Sequence, residues 1–147
     1  MTPLRVGRLR SADAGWVEVE FDGGWRARIG IVAEGLGRVQ FTPPDGLREP
    51  RTWAIAPDAF AIEGRPRDGV FPGSMATVAA TNDGATIATP LLRATVRLEP
   101  FGIEWEQQVE RQWQRCCTDR PSYAYGSSAR AGTLTHWQAR DAHDQYF

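Results

Sequence analysis

Acids, imidazoles and thiols are the groups able to move protons or attack carbon here, and they are thinly spread. A glycosidase-type pair needs two carboxyls held roughly 5–9 Å apart across a pocket, one of them with a raised pKa. Asp13, Asp22, Asp45, Asp83 and Asp119 stand among turn residues, and Glu18, Glu20, Glu104 and Glu106 alternate with apolar neighbours. Turn hydrogen bonds and solvent account for such positions. Asp141 and Asp144 are the best remaining acids, and a terminal turn explains them too. The two imidazoles, His136 and His143, fit no helical ligand spacing, and no Ser or Cys in a nucleophile context stands near them. His136 lies among strand residues and reads as a hydrogen-bonded structural histidine. All 17 basic residues are Arg, so Schiff-base chemistry by Lys is excluded. Gly35-Leu36-Gly37 sits between strands rather than before a helix, so it is no phosphate cradle.

Cys116 and Cys117 are the only cysteines. Neighbouring Cα atoms are about 3.8 Å apart, too close for a relaxed disulfide. A disulfide framework is ruled out and a reduced, cytoplasmic setting is expected. With two His and no C-x-x-C, neither a zinc site nor any other cofactor is expected. Six Trp are many for 147 residues. Most fall on the apolar phase of a strand, where a large ring fills a core or an interface. Trp16 and Trp53, nearest to loops, are the candidates for carbohydrate-binding platforms.

The elements that must position these groups are strands. Val17, Val19 and Phe21 alternate with Glu18, Glu20 and Asp22 before a Gly23-Gly24 turn. Trp25 to Ala33 alternates likewise, Glu34-Gly35 makes a hairpin, and Leu36 to Thr42 returns until Pro43-Pro44-Asp45-Gly46 stops pairing. Short strands are expected around Trp53–Ile55, Ala59–Glu63, Met75–Thr81 and Thr86–Thr89, with an exposed stretch at Gly64–Gly73 and a turn at Asn82-Asp83-Gly84. Leu92 to Leu98 alternates cleanly, Pro100 ends it, and Gly102 begins the next strand. Residues 105–117 fit a helical stripe of Trp105, Val109 and Trp113, but the neighbouring context favours two strands joined around Gln107-Gln108. Ser122–Tyr125 and Thr133–Ala139 read as strands. Nine to eleven short strands with regular turns and no helix predict an all-β chain, a single antiparallel β-sandwich domain over residues 1–147. Fifteen Gly and ten Pro suit that class. The net charge of −1 argues against nucleic-acid or anionic-membrane partners, and no apolar run is long enough to cross a bilayer as a helix.

Three segments together resemble the N-terminal β-sandwich domain of glycoside hydrolase family 31, the α-glucosidase and α-xylosidase family. They are RIGIVAEGLGRVQFTPPDG (Arg28 to Gly46), ATVRLEPFGIEWE (Ala94 to Glu106) and LTHWQARDAHDQYF (Leu134 to Phe147). In the family the last segment leads into a Tyr-Gly-x-Gly-Glu run at the junction with the catalytic barrel. The resemblance implies a galactose-mutarotase-like supersandwich and a retaining glycosidase whose two catalytic aspartates lie in a (β/α)8 barrel beyond Phe147. No catalytic residue is therefore expected in this chain. The partners it implies are the barrel of the same or a split enzyme and an α-glucoside-type carbohydrate. The apolar pair Tyr146-Phe147, where polar residues commonly close a domain, leads us to expect a fragment without its barrel. A free-standing carbohydrate-binding module and a mutarotase-like epimerase using His136 or His143 are the alternatives.

Overall fold

The computed structural model describes residues 1–46, 76–128 and 133–140. They form twelve strands and, among the described residues, no helix: β1 (Thr2–Pro3), β2 (Gly7–Asp13), β3 (Trp16–Phe21), β4 (Arg26–Ala33), β5 (Leu36–Thr42), β6 (Thr77–Thr81), β7 (Gly84–Ala88), β8 (Leu92–Leu98), β9 (Phe101–Val109), β10 (Gln112–Thr118), β11 (Tyr125–Ser128) and β12 (Thr133–His136). All pairings between these strands are antiparallel. The strands make a four-stranded sheet in the order β2-β3-β4-β5, a five-stranded sheet β10-β9-β8-β7-β6, and a three-stranded sheet β1-β11-β12. With no helix among the described residues, none is long and apolar enough to cross a membrane.

The expected antiparallel β-sandwich is observed, and its cause is the alternation itself. Val17, Val19 and Phe21 from β3, Ala27, Ile29 and Ile31 from β4, and Ile87, Ala94, Val96, Phe101 and Ile103 from the opposing sheet meet in one buried core. Between them, Glu18, Glu20, Arg26 and Arg28 lie on the outer face. Phe21 packs edge-on to Phe101 with ring centroids 4.7 Å apart, and Phe41 lies 4.7 Å from Tyr125. That aromatic cluster joins all three sheets and adds to simple area burial.

Turn chemistry sets the registers. Gly35 closes the β4–β5 hairpin at φ 76°, as expected of a glycine there. The hairpin between β9 and β10 turns at Glu110-Arg111, not around Gln107-Gln108. Both residues are left-handed, φ 49° and 67°, so the sequence offers no Gly or Asn to mark the place. β11 begins at Tyr125, where the predicted strand ended. β1 and β2 carry no clean alternation and were not foreseen. The expected strands around Trp53–Ile55 and Ala59–Glu63, and the stretch Gly64–Gly73, lie outside the described residues.

Gly84 opens β7 so close to β8 that a Cβ would collide with the Val96 carbonyl oxygen. Gly84→Ala is therefore expected to lower the unfolding free energy by about 1–3 kcal/mol, the usual cost of forcing extra volume into a packed site. A chemical-denaturation midpoint equal to that of the parent chain would contradict this.

Candidate functional site

The densest cluster of titratable groups forms where β10 runs out of the five-stranded sheet. A β-bulge at Cys116 decides it. Arg115 pairs with Glu106 and Cys117 with Trp105, so one residue is skipped and the facing of the strand reverses. Trp113 and Arg115 share the outer face with Arg93 and Glu106. Beyond the bulge, Cys117 and Asp119 share the inner phase of Trp105 and Ile103.

Asp119 is 3% exposed. Its backbone N–H donates to the Ile103 carbonyl at 2.9 Å, and its Oδ2 accepts the Ile103 N–H at 2.8 Å, so the carboxylate stands in for a missing strand carbonyl. Oδ1 lies 2.7 Å from His136 Nε2. The imidazole stacks flat on Tyr125, centroids 4.5 Å apart and 3° between planes. Burial, then the Asp119 charge and a hydrogen bond shared with that carboxylate, push the Tyr125 phenol far above its ordinary range. Gln138 Nε2 donates to Cys117 Sγ at 2.9 Å, and Asp119 bridges Gln138 through the backbone. Outside this knot, Arg120 lies 4.4 Å over Tyr123 and 5.9 Å from the Trp137 ring centroid.

An Asp–His dyad fixes an imidazole for proton transfer, but catalysis also needs a nucleophile or a substrate at the second ring nitrogen. Among the described residues none bonds there: the Ser127 hydroxyl donates to the Thr2 carbonyl at 3.5 Å instead. The arrangement is a clasp between β9, β10, β11 and β12, in keeping with a hydrogen-bonded structural His136. Neither cysteine is in a disulfide. The Cys116 sulfur turns to the Trp105 carbonyl at 3.4 Å, and partial burial pushes its thiol up, away from nucleophilic reactivity.

The acids on alternating positions sit in ion pairs on the outer faces. Arg93 grips Glu106 with two hydrogen bonds of 2.7 and 2.8 Å, which hold that carboxyl below its usual range. Glu20 meets Arg10 at 3.6 Å and Asp22 meets Arg8 at 2.8 Å. Among the described residues no group of three or more His, Cys, Asp or Glu is placed to hold a metal.

Trp16 does not stand at the surface as expected of a sugar platform. It is 6% exposed, its ring lies across Gly30, and the Arg28 guanidinium covers it at 4.3 Å. The absence of a side chain at Gly30 is what lets the ring lie down. Trp53, His143, Asp141 and Asp144 lie outside the described residues. Asp119 escapes sequence reading because it opens an Asp-Arg-Pro run that has the composition of a turn, where a carboxylate commonly serves the turn itself.

Comparison with protein-family models, with curated proteins and with solved structures returned no match.

Removing the Asp119 carboxylate orphans the Ile103 N–H and releases His136. Asp119→Ala is expected to cost about 1–3 kcal/mol, the range for leaving a buried hydrogen-bonding group without its partner, measured by urea denaturation at neutral pH. The buried phenol gives a second expectation. An unfolded tyrosine ionises near pH 10; above that the unfolded chain loses a proton that folded Tyr125 keeps. Its stabilising contribution is thus complete below about pH 10 and falls by about 1.4 kcal/mol per unit of further rise. No lysine titrates there to mask it, and Tyr125→Phe should lack this part of the alkaline slope.

Proposed function

We propose that this chain is the non-catalytic β-sandwich domain of an α-glucosidase-like retaining glycoside hydrolase, of the galactose-mutarotase-like supersandwich type. In this reading it packs on the catalytic (β/α)8 barrel and helps shape the entrance to the sugar site. The observation that carries it is the placement of the two complete family-like segments. Arg28 to Gly46 runs through the β4–β5 hairpin and its stop, where Gly46 N–H bonds the Pro43 carbonyl at 2.9 Å. Ala94 to Glu106 runs through β8, the Glu99–Pro100 turn and β9, the central pair of the five-stranded sheet. Each segment thus behaves as the strand–turn–strand unit that the resemblance implies. The cytoplasm is the compartment we assign, on two cysteines, Cys116 and Cys117, that form no disulfide.

Chemistry supports a dependent role. Oxocarbenium formation needs a nucleophile and an acid facing one another across a site, whereas Glu104 and Glu106 face arginines and Asp119 is tied to backbone and imidazole. The Asp119–His136 contact bears on the epimerase alternative, since it brings an imidazole and a carboxylate together. Nε2, however, is already engaged by the acid, and the depression on the four-stranded sheet is lined by other residues.

Purified chain incubated with an aryl α-glucoside is expected to release no chromophore above buffer, and polarimetry of freshly dissolved glucose or galactose should show no acceleration. Turnover that disappears when an acid of this chain is replaced would overturn the proposal.

A further inference from the structure

The outer face of the four-stranded sheet carries a depression of about 190 Å3 lined by Glu18, Arg26, Arg28, Gln40 and Thr42, with Ala27 at its floor. Register explains the lining. Glu18, Arg28 and Gln40 stand directly opposite one another on β3, β4 and β5, and Arg26 faces Thr42 one step along. Three adjacent strands therefore present a carboxylate, a guanidinium and an amide in one row.

What sets this row apart is how little its members bond to each other. The other sheet has the same directly opposed pair, Arg93 and Glu106, and there the guanidinium closes on the carboxylate with two short bonds. Arg28 and Glu18 are equally opposed but form no ion pair. Arg28 is drawn onto the Trp16 ring instead, at 4.3 Å, and Glu18 keeps only a contact of 3.9 Å to Arg26. A guanidinium over an aromatic face still has its in-plane N–H donors pointing outward. Gln40 and Thr42 make no side-chain hydrogen bond among the described residues. The result is a concave patch with two guanidiniums on β4, a carboxylate beside them on β3, and an amide and a hydroxyl on the other side on β5.

We infer that this patch is a binding site for one neutral hexopyranose unit, held on the sheet face away from the core by Glu18, Arg28 and Gln40. A carboxylate accepts from two adjacent hydroxyls of a pyranose at once, and guanidinium and amide groups donate to the neighbouring oxygens. Glu18, on the strand beside both arginines and 3.9 Å from Arg26, offsets their charge and disfavours an anion. The depression is smaller than the roughly 300–1,000 Å3 of enclosed small-molecule pockets, so it accepts one ring laid against the strands. The site belongs to the sandwich itself and needs no barrel; only the choice of an α-glucoside as first probe rests on the reading above.

The experiment is a titration of the isotopically labelled full chain with maltose, followed by amide and arginine side-chain resonances. Saturable shifts confined to β3, β4 and β5 are expected, with Kd on the order of 1 mM. The variant Glu18→Gln/Gln40→Ala should weaken binding at least about fivefold, because a charge-assisted bond and an amide contact are both lost. Its thermal midpoint should match the parent's, and Gln40→Ala alone serves if the pair of changes fails to fold, with a smaller weakening. Arg93→Ala, on the outer face of the other sheet, should bind as the parent does. Shifts with cellobiose or lactose but none with maltose would support the site and count against the α-glucosidase reading. No saturable shift with any of these sugars, an affinity untouched by the β3 and β5 changes, or tighter binding of inorganic phosphate than of sugar would each overturn the inference.

Discussion

The Asp119 carboxylate sits where the five-stranded sheet gives way to the three-stranded one, and both of its oxygens are committed. One replaces a carbonyl that β10 no longer supplies to Ile103; the other fixes His136. Around it the backbone continues the join, with Arg120 N–H on the Trp137 carbonyl at 3.2 Å and Ala139 N–H on the Thr118 carbonyl at 2.9 Å. A charge placed this deep is costly unless it is fully hydrogen-bonded. Here the bonding is what docks β11 and β12, and with them Tyr125, onto the Phe21–Phe41–Phe101 cluster. The polar clasp and the aromatic core thus support the same contact from two sides.

The sandwich was legible wherever one face of a strand is buried and the other wet. Val17-Glu18-Val19-Glu20-Phe21 and Leu92 to Leu98 admit only one facing, and both strands lie as read. Legibility failed at three kinds of place, each for a physical reason. β2 mixes Arg, Ser and Ala with a single Leu and carries a bulge between Leu9 and Ser11, so its period is broken. The β9–β10 turn uses Glu and Arg in left-handed conformations that nothing in those residue types advertises. Asp119 stands in a run with turn composition, while the bulge at Cys116, which no residue type marks, sets the phase that carries it inward.

The same reasoning separates the two outer faces. Identical chemistry in an identical register, a carboxylate opposite a guanidinium, gives a closed bidentate pair at Glu106 and an open row at Glu18. Trp113 lies under Arg93 at 4.6 Å much as Trp16 lies under Arg28 at 4.3 Å. The difference is Gly30, directly opposite Trp16, which lets that ring sink against the sheet and draw its arginine with it. No pattern of residue types in one strand carries this information. It depends on which residue on a neighbouring strand lacks a side chain.

The pairing of β1 with β11 has a bearing on how the molecule comes into being. The Thr2 carbonyl accepts from the Ser127 hydroxyl across 125 residues, and Leu4 N–H bonds the Tyr125 carbonyl at 2.9 Å. A ribosome emits these residues ahead of β2, long before their partner has left the exit tunnel. Until then the leading segment has nothing to bind, so the closing of this small sheet is a late event in the life of the nascent chain. Contacts so distant in sequence are slow to find one another.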